Sequence, residues 1–286
     1  MSSAADLRQR LTRDGLVIAP GAYDGLTARL VELAGFDVVY ATGAGISNSQ
    51  LALADVGLLT MSEMLEQVRK MTAAVKIPVI CDIDTGYGNA LNLYRTVQEF
   101  IRSGAAAVQI EDQVIPKKCG HFEGKQLISF DESVQKIRAA VEARGQHELM
   151  IIARTDAIAV DGFDEALRRA LGYHHAGADA LFVEAPRTRD ELAEIGRLPG
   201  LKIANIVEGG RTPIVSATAL TNMGFKIAIY ANLVLRSSVK AIQASLDHLR
   251  AHGDTSAILD HMITMDERAR VTQKDFLDSL EKRFTQ

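Results

Sequence analysis

The sequence has only two cysteines, six prolines and no run of lysine or arginine, and each shortage closes off a class of protein. Two unpatterned cysteines, Cys81 and Cys119, cannot supply the disulfide framework that staples small secreted domains. Few prolines, with 47% hydrophobic and 24% charged residues, argue against a disordered chain and for a large apolar core. A net charge of −4 without a basic patch leaves no electrostatic footprint for nucleic acid or a membrane surface, so the expected ligand is small. The longest uncharged stretch, Val38 to Ala54, is interrupted by Thr, Gly, Ser, Asn and Gln. It cannot serve as an apolar span of about 20 residues and reads as a loop-rich site segment. The opening MSSAADLRQRL lacks the apolar centre of a signal peptide, which makes a reducing cytoplasm the expected location.

What the chain does contain is alternation. Eight short apolar, β-branched runs stand at Leu16 to Ala19, Asp37 to Tyr40, Pro78 to Asp82, Ala106 to Ile110, Leu149 to Ala153, Ala180 to Val183, Lys202 to Asn205 and Lys226 to Ile229. Helical patterns lie between them, such as Asp24 to Ala34, Ser62 to Val75, Ala90 to Ser103, Asp131 to Ala143 and Asp164 to Ala176. Strands alternating with crossover helices imply a parallel sheet. Eight such units close an (α/β)₈ TIM-type barrel, a fold that takes about 250 residues as one domain. No G-x-G-x-x-G follows a strand and no G-x-x-x-x-G-K-S/T occurs, which removes the nucleotide fingerprints of open α/β sheets. The expectation is a single domain over residues 1–286, with 232–286 a C-terminal helical extension whose surplus apolar face packs on another subunit.

Functional side chains of such a barrel belong just after its strands. Those positions carry Thr42-Gly43-Ala44-Gly45, Asp82 with Asp84, Glu111, Arg154, Glu184, Asn205 and the segment Glu208 to Pro213. Asp82, Asp84 and Glu111 at adjacent strand ends point to a hard divalent cation, Mg²⁺, because clustered like charges are costly without a counter-ion. Each taken singly also reads as a helix cap or a lysine partner. The glycine-rich turn at Thr42 offers N–H groups to an anion, although such turns are usually only turns. For Arg154 the alternatives are a salt bridge across the mouth and a two-point grip on a substrate carboxylate. The polar segment Lys117-Lys118-Cys119-Gly120-His121 sets a thiol between lysines and beside a histidine, surroundings that lower a cysteine pKa, and its glycines suit a mobile lid. A cysteine can also be a small core hydrophobe. The remaining histidines read as surface residues.

These residues resemble the isocitrate lyase and phosphoenolpyruvate mutase superfamily, from about Val17 to Leu249. The motifs that carry the likeness are D-I-D-T-G-Y-G-N from Asp82, I-E-D-Q from Ile110, K-K-C-G-H from Lys117, A-R-T-D-A from Ala153 and N-I-V-E-G-G-R-T-P from Asn205. The likeness is greatest to its methylisocitrate lyase, 2,3-dimethylmalate lyase and carboxyphosphonoenolpyruvate mutase branches. It implies a cytoplasmic homotetramer with swapped C-terminal helices, acting on a di- or tricarboxylate with Mg²⁺, for which Mn²⁺ substitutes. It also implies that Asp84 contacts the metal, that Asp82 and Glu111 act through water, and that Asp55 lies behind them. Thr42, Gly43 and Ala44 would hold one substrate carboxylate. Gly120 and His121, with Thr212, would close over the other, and Arg154, Glu184 and Asn205 would surround the reacting atoms. Lys117 and Cys119 belong to the lid, with Cys119 as the proton donor. Gly209 is expected to leave room beside the substrate tail. The expected reaction is carbon–carbon cleavage of a substituted malate or 2-methylisocitrate. The alternatives are phosphorus–carbon mutase chemistry and a barrel that binds oxo-acids without turning them over. The base that takes the hydroxyl proton is open between Tyr40, which also reads as a buried strand-end aromatic, and other groups.

Overall fold

The computed structural model describes residues 3–120 and 124–285. Eight parallel strands, β1 (Val17–Ala22), β2 (Val39–Ala41), β3 (Val79–Asp82), β4 (Ala107–Glu111), β5 (Met150–Thr155), β6 (Ala180–Val183), β7 (Leu201–Asn205) and β8 (Ile227–Tyr230), pair in sequence order and close into a barrel. The closing pair joins Val17 to Ile227 and Pro20 to Tyr230. All eight strands expected from the sequence are present, with ends shifted by a few residues. The largest extensions carry β1 through Pro20 and Gly21 to Ala22 and β5 through Arg154 and Thr155.

Side chains alternate between the two faces of a strand, and the chain exploits this at every turn of the barrel. Inward-facing Tyr40, Ile80, Met150, Ile152, Phe182, Ile203 and Ile229 form one buried cluster, floored by Leu7 and Leu11 of α1 (Ser3–Leu11). Outward-facing Val39, Cys81, Val108, Ile151, Leu181 and Val183 pack in another with Val31, Met64, Val68, Phe100, Ile137 and Tyr173 of the surrounding helices. Those helices are α2 (Gly25–Leu33), α4 (Met61–Ala74), α5 (Ala90–Arg102), α6 (Phe130–Arg144) and α7 (Phe163–His175), numbering α3 (Gly43–Leu51) between the first two. Polar caps start them: Asp24 and Thr27, Thr60 and Glu63, and Asn89 and Asn92 form reciprocal boxes. Gly35, Gly104 and Gly177 follow α2, α5 and α7 with φ of +84°, +82° and +99°, the left-handed stops expected there.

The stretch expected to be loop-rich is instead largely helix. Thr42 caps α3 by accepting from the Gly45 N–H at 3.3 Å, and Ile46 N donates to the Thr42 carbonyl, so Gly43-Ala44-Gly45 is a helix start and not a free turn. The barrel is completed by α8 (Arg189–Gly196) and α9 (Ala217–Met223), and α10 (Leu233–His252) follows. Two compact units divide at Leu233. The second contains most of α10 with α11 (Met265–Val271) and α12 (Lys274–Phe284), none of which has a buried residue. No helix of the described residues is long and apolar enough to cross a membrane.

Gly21 fixes how closely β1 approaches the end of β8. A Cβ at that position would lie 2.2 Å from the carbonyl oxygen of Ala231, a backbone atom that cannot step aside. Gly21→Ala should therefore destabilise the barrel by about 3 kcal/mol. Thermal denaturation should register this as a fall in Tm of roughly 10 °C.

Candidate active site

The alternation that fills the barrel also furnishes its mouth. Two residues beyond inward-facing Ile80 stands Asp82; beyond Ile152, Arg154; beyond Phe182, Glu184; beyond Ile203, Asn205; and beyond Tyr40, Thr42. Ala107, Gln109 and Glu111 continue the same face of β4. All six side chains are aimed inward at the carboxyl ends by the strand period alone. Five of them meet in a pocket lined by Tyr40, Thr42, Ala44, Asp55, Asp82, Lys117, Cys119, Gly120, Arg154, Glu184 and Asn205, with Ala231 and Asn232 after β8, and Glu111 stands behind, 3.5 Å from Arg154.

Asp82 and Asp84 converge on Gly43: a Cβ there would sit 3.0 Å from Asp82 Oδ2 and 3.4 Å from Asp84 Oδ1. Asp82 Oδ1 accepts from the Asp84 N–H and from Gln109 Nε2, each at 3.2 Å. Burial pushes both carboxyls up, Asp84 to about 6, against the opposing pull of Lys117. Glu111 is likewise raised well above the ordinary carboxylate range by burial, with Arg154 and Lys117 pulling it down. Lys117 is only 4% exposed, its Nζ 2.5 Å from Asp55 Oδ1 and 2.8 Å from Asp84 Oδ1. Burial works against that ammonium, but Asp84, Glu111, Asp55 and Asp82 hold it charged and raise its pKa well above the usual lysine value. Lys117 thus spends its charge on carboxylates; the lysine at 118 is exposed.

Arg154 stands beside Glu111 in register and over the Phe182 ring, 5.2 Å from its centroid. Its Nε and Nη2 grip Asp156 Oδ2 and Oδ1 at 2.9 and 3.1 Å, a two-point hold. Glu111 and Glu184 lie farther, at 3.5 and 3.9 Å. Sequence reasoning offered a salt bridge or a substrate grip; the structure provides the salt bridge within the chain. Asp156 also takes Lys125 Nζ at 2.9 Å, and its N–H donates to Asp112 Oδ1 at 3.0 Å. Asp112 in turn accepts from Tyr173 Oη at 2.7 Å and Arg169 Nη1 at 3.2 Å. This buried relay was not anticipated from the sequence, although Asp112 and Asp156 both stood within its motifs. Although burial pushes Asp156 up, Arg154 and Lys125 hold it below the ordinary aspartate range.

The lid enters through Gln113, whose Nε2 donates to the Lys118 carbonyl at 2.8 Å while its Oε1 accepts the Lys118 N–H at 2.9 Å. That brings half-buried Cys119 to the pocket and Gly120 against its far wall. A Cβ at Gly120 would lie 2.5 Å from Arg154 Nη2 and 2.8 Å from Glu184 Oε1, so only glycine fits. His121 lies outside the described residues. Cys81, by contrast, is a buried outward-facing strand residue whose thiol burial pushes far up. Tyr40 donates to Gln109 Oε1 at 2.7 Å, and burial with Asp82 raises its phenol well above the ordinary value, which makes it a poor base. Asn205 Nδ2 donates to Glu184 at 3.2 Å, while Asn205 Oδ1 and buried Thr212 Oγ1 have no hydrogen-bond partner among the described residues. Gly209 does not flank the pocket: it is exposed in a turn with φ of +74°, and a Cβ there would meet nothing within 4 Å.

The fit of this donor set to a cation follows from its charge. Asp55, Asp82, Asp84, Glu111, Asp156 and Glu184 are six carboxylates facing three cations, Lys117, Lys125 and Arg154. Asp84 Oδ1 is buried and faces the Lys117 ammonium at 2.8 Å, which it shares with Asp55. Hard oxygens with excess negative charge suit Mg²⁺, which keeps several waters. Among the described residues no three acidic, histidine or cysteine side chains are gathered closely enough to bind an ion directly.

Residues 7–250 match the phosphoenolpyruvate phosphomutase family model. The chain belongs to that family. It is 45% identical to the 2,3-dimethylmalate lyase of Eubacterium barkeri over 93% of each chain. It is 44% identical to the 2-methylisocitrate lyase of Aeropyrum pernix, over 91% of this chain and 84% of the other. Among solved structures, an oxaloacetate acetylhydrolase in complex with 3,3-difluorooxalacetate superposes with a TM-score of 0.94 at 34% identity, covering 98% of this chain and 96% of that one. A 2,3-dimethylmalate lyase of the PEP mutase/isocitrate lyase superfamily gives 0.93 at 37%, covering 99% and 95%. A phosphonopyruvate hydrolase complexed with oxalate and Mg²⁺ gives 0.89 at 31%, covering all of both chains.

Breaking a buried ion pair by removing one charge costs roughly 3–5 kcal/mol. Asp156→Asn should lose about that much stability at pH 7 in denaturant titrations. Because the folded pKa of Asp156 is lowered, its contribution is present above the unfolded aspartate value of about 4 and is lost as pH falls through the folded one. The gap between wild type and variant should therefore narrow below pH of about 4.

Proposed function

We propose that this chain is a Mg²⁺-dependent carbon–carbon lyase that cleaves a substituted malate or 2-methylisocitrate into a 2-oxo acid such as pyruvate and a carboxylic acid. The observation that carries the reading is the meeting of a half-buried thiol, Cys119, with Arg154 and the excess of buried carboxylates in one pocket. Similarity to lyases of 2,3-dimethylmalate and 2-methylisocitrate supports the substrate class.

Asp84 would hold the ion directly, Asp82 and Glu111 through water, with Asp55 and Lys117 setting the charge around them; Mn²⁺ would serve in its place. When bound, the ion supplies Lewis-acid charge to the substrate's 2-hydroxyl and neighbouring carboxylate. The chain supplies the rest. N–H groups at the start of α3, with Thr42, Gly43 and Ala44, favour one substrate carboxylate, as helix N-termini do. Asn205 and Thr212, whose buried oxygens have no partner among the described residues, and Gly120, with His121 of the lid, would serve the other end. Arg154, held in one orientation by Asp156, presents a fixed positive charge to the reacting atoms, with Glu184 beside it. As the carbon–carbon bond breaks, the hydroxyl proton passes to a base in the pocket and the hydroxyl oxygen becomes the carbonyl of the 2-oxo acid. The bonding pair stays on the carbon next to the departing carboxylate, and Cys119 delivers its thiol proton there as general acid. Tyr40 would line the pocket and not act as the base.

The working protein would be one barrel domain with the 232–286 extension, in a cytoplasmic homotetramer. Ile242, Leu246, Leu249, Phe276 and Leu277 on α10 and α12 are exposed, and apolar helix faces of this size need a partner.

A substrate panel with Mg²⁺ tests the reading: 2,3-dimethylmalate, 2-methylisocitrate, isocitrate, oxaloacetate, phosphonopyruvate and carboxyphosphonoenolpyruvate. A branched malate or methylisocitrate should give the highest kcat/KM, and exclusive turnover of a phosphonate would replace cleavage by phosphorus–carbon chemistry. On the best substrate, Cys119→Ser should lower kcat and kcat/KM together by about a hundredfold or more, the general-acid contribution, with little change in binding. Unchanged kcat in that variant would remove the thiol from the mechanism.

The cation assignment has its own signature in pH. Asp84, pushed up to about 6, disfavours its charged form in the metal-free protein, so its ionisation drains stability as pH rises from the ordinary carboxylate range toward 6. A cation reverses that loss by binding the ionised form. The rise in Tm given by Mg²⁺ should consequently be small at low pH and grow through about pH 6. Calorimetric scans with and without the ion at several pH values measure it, and an increment independent of pH would remove Asp84 from the site.

A further inference from the structure

Helix α6 packs against the outside of the barrel with Ser133, Ile137, Ala140 and Ala143 buried, and a lysine sits on that same face. Lys136 is 4% exposed. Its Nζ donates to two backbone carbonyls, Thr85 at 2.6 Å and Gly88 at 2.9 Å, and among the described residues no carboxylate lies within ion-pair distance. Burial lowers its pKa, with only Glu132 and Glu111 pulling the other way from a distance. A buried ammonium satisfied by carbonyls alone is poor packing chemistry, since an apolar side chain would fill the same face of α6 without desolvating a charge.

What it holds explains its presence. From Asp84 to Gly88 the backbone visits positive φ four times, at Asp84 (+49°), Gly86 (+81°), Tyr87 (+60°) and Gly88 (+146°). Two of these are not glycine, and a non-glycine residue in that region persists only where its surroundings enforce it. The loop is clamped on its inner side by Glu111 N–H donating to the Asp84 carbonyl at 2.9 Å and Gly86 N–H to that of Ile83 at 2.8 Å. Outwardly it abuts α5 so tightly that a Cβ on Gly86 would lie 2.6 Å from Leu93 and one on Gly88 2.3 Å from Asn92. Twisting the chain this way turns the carbonyls of Thr85 and Gly88 away from the strand ladder, and Lys136 is the donor that takes both.

We propose that Lys136 is a positioning residue for the cation site: by bridging the Thr85 and Gly88 carbonyls it locks the strained loop that aims the Asp84 carboxylate into the barrel mouth. This rests on the reading of Asp84 as the residue that binds the cation. Lys136 touches neither ion nor substrate and acts through the backbone of the loop that carries the ligand, as the groups that orient metal ligands do in other sites.

The test is Mn²⁺ binding to the full-length protein, followed by the EPR signal of the free ion, for wild type, Lys136→Met, Lys136→Gln and Lys136→Arg. Losing a group that orients a metal ligand typically weakens affinity by about 10- to 100-fold, and that is the rise in Kd expected for Lys136→Met. Lys136→Arg, which restores a cation with several donors and borders a small cavity lined by Ser133, Ile137 and Tyr173, should recover most of it. A purely structural lysine would instead lower the Tm of the metal-free protein and leave Kd where it was. Lys136→Met with a wild-type Kd overturns the proposal; if that variant does not fold, Lys136→Gln, with a donor for one carbonyl only, decides on the same criterion. A wild-type protein that binds no Mn²⁺ overturns the cation reading of Asp84 and this inference with it, so the two failures are told apart.

Discussion

Everything at the mouth of this barrel answers to one constraint: several carboxylates have been taken out of water within a few ångströms of one another. Desolvation disfavours the charge on Asp82, Asp84 and Glu111, and each also repels the next. The chain offsets this with Lys117 and Arg154, each buried and each shared among more than one acid. Two cations so placed do not neutralise the group. The residual negative charge is what the proposed cation would answer, and the desolvation that makes these carboxylates costly would strengthen their hold on it.

The same constraint explains why so much of the supporting structure is polar and buried. Arg154 is useful only if its guanidinium is fixed, and Asp156 fixes it by matching the fork at two points. Asp156 is fixed by Lys125 and by its own N–H on Asp112, and Asp112 by Tyr173 and Arg169 of α7. The relay therefore runs from an outer helix through the ends of two strands to the centre of the mouth. Each member satisfies the next, the condition under which a buried polar network rigidifies its site.

Much of this was legible because a strand has period two. Once Ile80, Ile152, Phe182 and Ile203 are read as barrel interior, Asp82, Arg154, Glu184 and Asn205 must follow them into the mouth, and no structure is needed to say so. The eight strands were equally plain. What could not be read was anything set by contacts distant in sequence. Lys136 is one lysine among many in a helical pattern, and Lys125 looks like part of a polar lid until its ammonium is found on Asp156. Helix α3 reads as loop in the sequence because Gly43 and Gly45 are poor helix signals; their smallness reflects the approach of Asp82 and Asp84 to the first and of the Thr42 and Tyr23 side chains to the second. Gly209 stands in an exposed turn at φ +74°, a conformation that favours glycine whatever lies beside it.

The two cysteines bring these considerations to the chemistry. Identical thiols, one in β3 and one in the lid, differ only in what surrounds them. Cys81 faces the helices, and burial beside Asp82 keeps its proton bound far beyond neutral pH. Cys119 reaches the pocket because Gln113 grips the backbone of Lys118 on both its donor and acceptor sides, which fixes the residues before and after it. Lys117 then turns inward to the carboxylates, and Gly120 lies against Arg154 and Glu184. One segment thus delivers a positive charge to the acids, a thiol to the pocket and a side-chain-free backbone to the arginine. Such a segment suits the proton donor proposed for this pocket, because the contacts that seat the thiol are the same ones that complete the charge balance around it.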